Sequence, residues 1–167
     1  MDPAYAALQA EVFALRIELR AVQDRQAIAD LIAAYGPAVD RGDSRGAAAL
    51  WAADGSYDLG DFGNARGHDE IAALFDADLH QGLIRDGAAH MLGPPRIAID
   101  GDAAVAVCYS AVARWTGEAF ELYRVAANRW TLRREAQGWR VTGRANRLLD
   151  GTAEARALLA EAHRPPD

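Results

Sequence analysis

"AFELYRVAANRWTLRREAQGWRVTGRANRLL", residues 119–149, decides the fold. Two long extended runs flank "AQG" at 136–138, which is compatible with a hairpin turn. In the first run Phe120, Leu122, Ala126, Trp130 and Leu132 fall on even positions, and Glu121, Tyr123, Arg129, Thr131 and Arg133 on odd ones. A period of two is a strand, and its even face is expected to point inward. Arg124 and Asn128 share that even face. An amide among core residues must be hydrogen-bonded, or it costs about 1–3 kcal/mol. Asn128 is therefore either satisfied by neighbouring backbone or a donor to a ligand oxygen in a cavity.

Upstream of this stretch, "AAHMLGPPRIAID" (88–100) and "AAVAVCYSAVARW" (103–115) read as two more extended runs, joined by a turn at "DGD" (100–102). The first 87 residues read as helices. Leu8, Val12, Leu15, Leu19 and Val22 form one apolar stripe at spacings of three and four. Asp24 is placed to cap a second helix that buries Ile28, Leu31, Ile32 and Tyr35. Ser44 is placed to cap a short helix through Leu50 and Trp51. "ADGSYDLGDFGN" reads as turn, short strand, turn. "GHDEIAALFDADLHQGLI" reads as one further helix with Ile71, Leu74, Phe75 and Leu79 inward. Thr152 caps a closing helix, and "RPPD" is a frayed tail. Helices followed by an antiparallel meander give an α+β chain, a curved antiparallel sheet wrapped around N-terminal helices with one internal cavity. The expected organisation is a single domain over 1–167, with 1–22 as an N-terminal extension helix and 151–167 as C-terminal helix and tail.

Composition narrows the function. The chain has 167 residues, 51% of them apolar, and a net charge of −6. No basic cluster stands out, so nucleic acid is not an expected partner. All 18 basic residues are Arg, which excludes chemistry that needs a lysine amine, such as a Schiff base or a P-loop. Cys108 is the single cysteine, in an apolar run, and reads as core. The N-terminus lacks the basic region of a signal peptide, and no apolar run approaches the roughly 18 residues of a membrane span. A cytoplasmic protein without membrane contact is expected.

Four histidines are present. His68, His80 and His163 are expected in solvent. His90 shares parity with Leu92 and points inward. One inward His with no HxH or HExxH spacing is a poor metal site, so no metal is expected. Tyr35 and Asp40 lie five residues apart and would diverge by about 140° on an ideal helix. Between them stand Gly36 and Pro37, and a proline in a helix interior costs roughly 3 kcal/mol. A break at this pair would bend the last turn and bring Tyr35 and Asp40 to one cavity wall. The alternative is a kinked helix end with Tyr35 in the core and Asp40 in solvent.

"RQAIADLIAAYGPAVDRGD", "LWAADGSYDL", "AAHMLGPPRIAIDGDAAVAVCYS" and "NRWTLRREAQGWRVTGR" together resemble the SnoaL-like branch of the nuclear transport factor 2-like superfamily. The resemblance covers roughly residues 22 to 148 and implies an α+β cone. The branch includes scytalone dehydratase, bile acid 7α-dehydratase, a dehydrochlorinase and polyketide cyclases. It implies a catalytic His90–Asp40 pair with Tyr35 beside it. Asn128 matches a cavity asparagine, and Tyr57 an aromatic cavity residue. Trp115 stands near where a second histidine is found in the branch. The Gly-Pro pair is not part of the branch's pattern.

These residues permit β-elimination of water or a double-bond shift on a small, largely apolar cyclic substrate, polyketide- or steroid-like. His90 is the general base, Asp40 fixes its tautomer, and Tyr35, Tyr57 or Asn128 stabilises an enolate. No cofactor is required. Trp51, Trp115 and Trp130, with Phe62 and Phe120, would offer apolar walls. Two other classes remain open: a non-catalytic ligand-binding or assembly module, and a dehydrohalogenase. The unpartnered stripe from Leu8 to Val22 implies a homo-oligomer, a dimer or trimer.

Overall fold

Asp2 accepts a hydrogen bond from the Ala4 amide at 3.0 Å, and Pro3 follows it at the first helical position. From there a computed structural model, which describes residues 2–160, carries one unbroken helix, α1 (Pro3–Asp40). Its two halves differ. Residues 3–23 are exposed throughout, whereas Ile28, Ile32, Tyr35 and Val39 form a buried stripe at spacings of three and four. Asp24, expected as a cap between two helices, lies inside this single helix. It is buried and accepts Arg134 Nη1 and Nη2 at 2.6 and 2.5 Å and the Trp139 indole at 3.2 Å. The tertiary ion pair overrides the local capping preference. The expectations for His163 and the "RPPD" tail lie outside the described residues.

Next come α2 (Ser44–Ala48), β1 (Trp51–Asp58), a 3-10 turn at Gly60–Phe62 and β2 (Asn64–Arg66). Asp43, not Ser44, caps α2, because its side chain accepts the Gly46 amide at 2.8 Å. Trp51 opens β1 instead of ending that helix. Two helices then stand where one was expected, α3 (Gly67–Asp76) and α4 (Asp78–Asp86). Ala77 separates them in an extended conformation at φ −60, ψ 140. Leu79, expected inward on the continuous helix, is accordingly exposed.

The run 88–100 is also divided at Gly93-Pro94-Pro95, into β3 (Ala88–Leu92) and β4 (Arg96–Asp100). Both pair antiparallel with β5 (Ala103–Trp115), one along each half of it. β6 (Phe120–Glu135), β7 (Gly138–Leu148) and α5 (Ala153–Ala160) complete the described chain. Strand order is β2-β1-β7-β6-β5-β3, with β4 also on β5. The sheet is curved and unclosed, as expected, but mixed: β1 runs parallel to β7. No hairpin joins these two strands, so their direction was invisible in the local pattern.

Two register shifts matter for the site. Val112 pairs with Arg124 but Ala113 with Leu122, so Tyr123 is an extra residue in β6. Thr131 pairs with Gly143 but Leu132 with Val141, so Thr142 is extra in β7. Each bulge reverses which parity faces inward. Phe120 and Leu122, expected on the inner face, are therefore turned outward and are 64% exposed each. Conversely β7 buries Trp139 and Val141 before its bulge, and Arg144 and Asn146 after it. The core lies between the inner half of α1 and this face, around Trp51, Trp130, Leu132 and Ile71.

Candidate functional site

Asp40 is the last residue of α1 and His90 the middle residue of β3. The Asp40 carboxylate meets His90 twice. Oδ2 accepts the His90 backbone amide at 2.8 Å, and Oδ1 lies 2.6 Å from Nδ1. A carboxylate accepts only, so Nδ1 carries the proton of the neutral ring and Nε2 presents a lone pair. The close approach of strand to helix depends on Gly36. A Cβ there would stand 2.0 Å from the His90 carbonyl oxygen. The helix runs unbroken through Gly36 and Pro37, so the expected break is not what brings the pair together. The missing side chain is.

In front of His90 opens a cavity of about 600 Å³. Tyr35 and Tyr57 line it beside Phe75, His80, Arg124 and Arg144. Tyr35 is buried, with its ring edge-on to Trp51, Phe75 and Trp130 at centroid distances of 5.9 to 6.2 Å. Tyr57 stacks on Trp51 at 5.6 Å. Burial holds the Tyr57 phenol well above its ordinary value, so it remains a donor. Tyr35, Tyr57 and His90 thus share the cavity wall.

The other expected substrate contacts are placed differently. Asn128 is fully buried and does not line the cavity. Its amide nitrogen donates to Ser110 Oγ at 2.8 Å, and its oxygen accepts from Arg144 Nε at 3.0 Å, Arg144 Nη2 at 2.8 Å and Asn146 Nδ2 at 2.9 Å. Side chains, not backbone, satisfy most of it, and it stands behind Arg144. Trp51 and Trp130 are core residues beneath the tyrosines, and Trp51 donates its indole N–H to the Ser56 carbonyl at 3.0 Å. Trp115, 38% exposed, packs on Phe120 at 5.1 Å beyond the bulge, outside the cavity lining. Phe62 does line the cavity, under the Arg124 guanidinium at 4.9 Å.

Two cavity residues escaped the sequence reading. Arg144 is 3% exposed, and its guanidinium lies over the rings of Tyr35, Trp130 and Tyr57 at 4.1, 4.2 and 4.6 Å. Burial opposes its charge, the oxygens of Tyr57 and Tyr35 favour it, and the balance raises its pKa. Gly143 was the available signal, since a glycine inside a strand often marks a bulge. His80, expected in solvent, is half-buried, and its ring lies 5.3 Å from that of His90. Its Nδ1 lies 3.0 Å from the Phe75 carbonyl, which fixes the proton there. Its Nε2 is buried without a partner among the described residues. Burial, then the neighbouring His90, lowers its pKa below the usual histidine value. The extended residue Ala77 separates its helix, α4, from α3.

Among the described residues no three His, Cys, Asp or Glu side chains are grouped to hold a metal, and no helix is long and apolar enough to cross a membrane.

A family model described as a SnoaL-like domain matches residues 20–145. An NTF2-like protein with a cystatin-like fold from Novosphingobium aromaticivorans is 48% identical, with a TM-score of 0.85 over 87% of this chain and 94% of that one. An NTF2-like superfamily protein from Salmonella enterica is 18% identical, with a TM-score of 0.64 over 77% and 92% of the two chains. ActVI-ORFA from Streptomyces coelicolor is 19% identical, with a TM-score of 0.66 over 76% and 98%. These last two share the fold alone. No curated protein matches the chain significantly. The chain belongs to the SnoaL-like family of the nuclear transport factor 2-like superfamily.

Proposed function

We propose that the protein is a cofactor-independent dehydratase or isomerase of a small cyclic substrate, with His90 as general base. The observation that carries this reading is the Asp40–His90 contact at 2.6 Å on the wall of a cavity that Tyr35 and Tyr57 also line. His90 Nε2 takes a proton from the carbon beside a substrate carbonyl. Asp40 holds the tautomer and favours the imidazolium that forms. The electron pair moves to the carbonyl oxygen, and the Tyr35 and Tyr57 hydroxyls donate to the resulting enolate. In elimination the enolate re-forms the carbonyl, the β-hydroxyl departs, and the imidazolium gives it the proton that makes water. In isomerisation that proton goes to the γ carbon instead. Either way His90 ends neutral.

The test is a panel of cyclic β-hydroxy ketones, followed by the ultraviolet band of the conjugated enone. The parent is expected to turn over at least one of them and His90→Gln none. A His90→Gln variant as active as the parent contradicts the reading. So does a parent that binds the panel and converts none of it.

The reading includes a homo-oligomer. Leu8, Val12, Leu15, Leu19 and Val22 are 39–63% exposed on a helical segment, residues 3–23, that is exposed throughout. Removing such an apolar stripe from water is favourable. A second copy laid along this stripe would bury it. Cytoplasmic placement belongs to the same proposal.

A further inference from the structure

Arg144 is a buried cation with no carboxylate paired to it among the described residues. Two of its nitrogens, Nε and Nη2, share one neutral acceptor, Asn128 Oδ1. Nη1 is buried with no partner among the described residues. The buried or half-buried carboxylates near the core are engaged elsewhere: Asp24 with Arg134, Asp40 with His90 and Asp58 with Arg147. The three surrounding rings recover part of the desolvation cost. Taking a guanidinium out of water costs several kcal/mol, and neutral partners do not repay it in full.

A second cation stands beside it. Arg124 lines the same cavity and donates Nη2 to Asn146 Oδ1 at 2.8 Å, and Asn146 in turn donates to Asn128. The network Arg124–Asn146–Asn128–Arg144, with Ser110 on Asn128, therefore holds two positive charges and no acid. The carboxylates that do line the cavity, Asp78 and Asp86, are exposed residues of α4, and Asp86 faces Arg85 at 3.4 Å. Arg114, also in the lining, faces Glu121 at 3.5 Å.

We propose that this end of the cavity is an anion subsite. The substrate carries an ionised oxygen on a flat ring, a carboxylate or the oxygen of an acidic ring hydroxyl. Arg144 and Arg124, both in the cavity lining, supply the positive charge that holds this oxygen. The inference rests on the ring-substrate reading above and narrows it from a largely apolar molecule to an anionic one.

Binding of 2-naphthoate and of its neutral analogue 2-naphthamide, measured by calorimetry, is the test. The parent is expected to prefer naphthoate at least tenfold, and so is His90→Gln, because no turnover is involved. Arg144→Met is expected to remove that preference. If Arg144→Met does not fold, the parent comparison decides alone: equal affinities, or no binding of naphthoate at millimolar concentration, overturn the proposal. 4-Nitrophenol, which ionises near neutral pH and changes colour as it does, separates the two sources. Preference for its ionised form over naphthoate identifies a ring oxygen, and the reverse a carboxylate. Anion preference without any elimination would refute the reaction proposed above and leave the subsite standing. Elimination from neutral ketones without anion preference would do the opposite.

Discussion

Replacing Gly36 with alanine should damage the protein, against the ordinary rule for helices. In a helix interior Gly→Ala gains roughly 1 kcal/mol. Here the added Cβ would lie 2.0 Å from the His90 carbonyl oxygen and 3.2 Å from its carbonyl carbon, where real contacts stay beyond 3.0 Å. β3 must therefore retreat by about 1 Å to bring the 2.0 Å contact out to the 3.0 Å limit. The Asp40–His90 bonds, now 2.6 and 2.8 Å, would stretch past hydrogen-bonding range. Overpacking costs about 1–3 kcal/mol, and hydrogen bonds to a charged group about 1.5–3 kcal/mol each. Even partial relief leaves a net loss of about 2–4 kcal/mol after the helix gain is subtracted. A displacement of 1 Å at a reacting group costs about 100-fold in turnover. Urea unfolding measures the first quantity, and the backbone amide shift of His90 reports the contact. Pro37→Ala is the control. Its side chain is exposed, it restores an amide donor, and it should stabilise the helix by up to about 3 kcal/mol. A Gly36→Ala variant as stable as the parent, with the His90 amide unmoved, would refute this account of the glycine.

Tyr35→Phe removes one oxygen from the cavity wall and is expected to leave the fold intact while slowing turnover by roughly 10²–10³-fold, the scale of one lost oxyanion donor. Asp24→Asn should destabilise by about 2 kcal/mol, because it leaves Arg134 half-paired within a largely buried contact. Arg134 holds the Asp24 carboxyl below its ordinary 3.8, so the pair's contribution is whole above that pH and is lost as pH falls below it. The variant's stability should accordingly fall less steeply in acid than the parent's. Light scattering at micromolar concentration should give a multiple of the 18.0 kDa chain mass, and a monomer would contradict the role given to the Leu8–Val22 stripe.

How much was legible follows from how local each signal was. The inner face of α1 and the β4–β5 and β6–β7 hairpins obey periods of 3.6 and two and were readable. His90 and Asp40 were readable too: His90 precedes an apolar residue of its own parity, and the family resemblance pairs it with Asp40. The bulges at Tyr123 and Thr142 were not, because one inserted residue leaves composition unchanged and reverses every side chain beyond it. That reversal exposed Phe120 and Leu122 and hid Arg144. The break at Ala77 likewise left no proline or glycine to mark it, and His80, on the helix beyond it, lies on the cavity wall instead of in the expected solvent. Asn128 was rightly seen as inward, but its partners lie on β5 and β7, beyond the reach of any local pattern.

The central claim is that Asp40 holds the His90 ring by Nδ1, which fixes the tautomer of its neutral form with the lone pair at Nε2. Nitrogen-15 NMR of the histidine-labelled protein reads this without a substrate. The account predicts that the neutral His90 ring carries its proton at Nδ1 and is bare at Nε2, and that Asp40→Asn disturbs this tautomer. A neutral His90 ring protonated at Nε2, or one whose signals Asp40→Asn leaves unchanged, would contradict it.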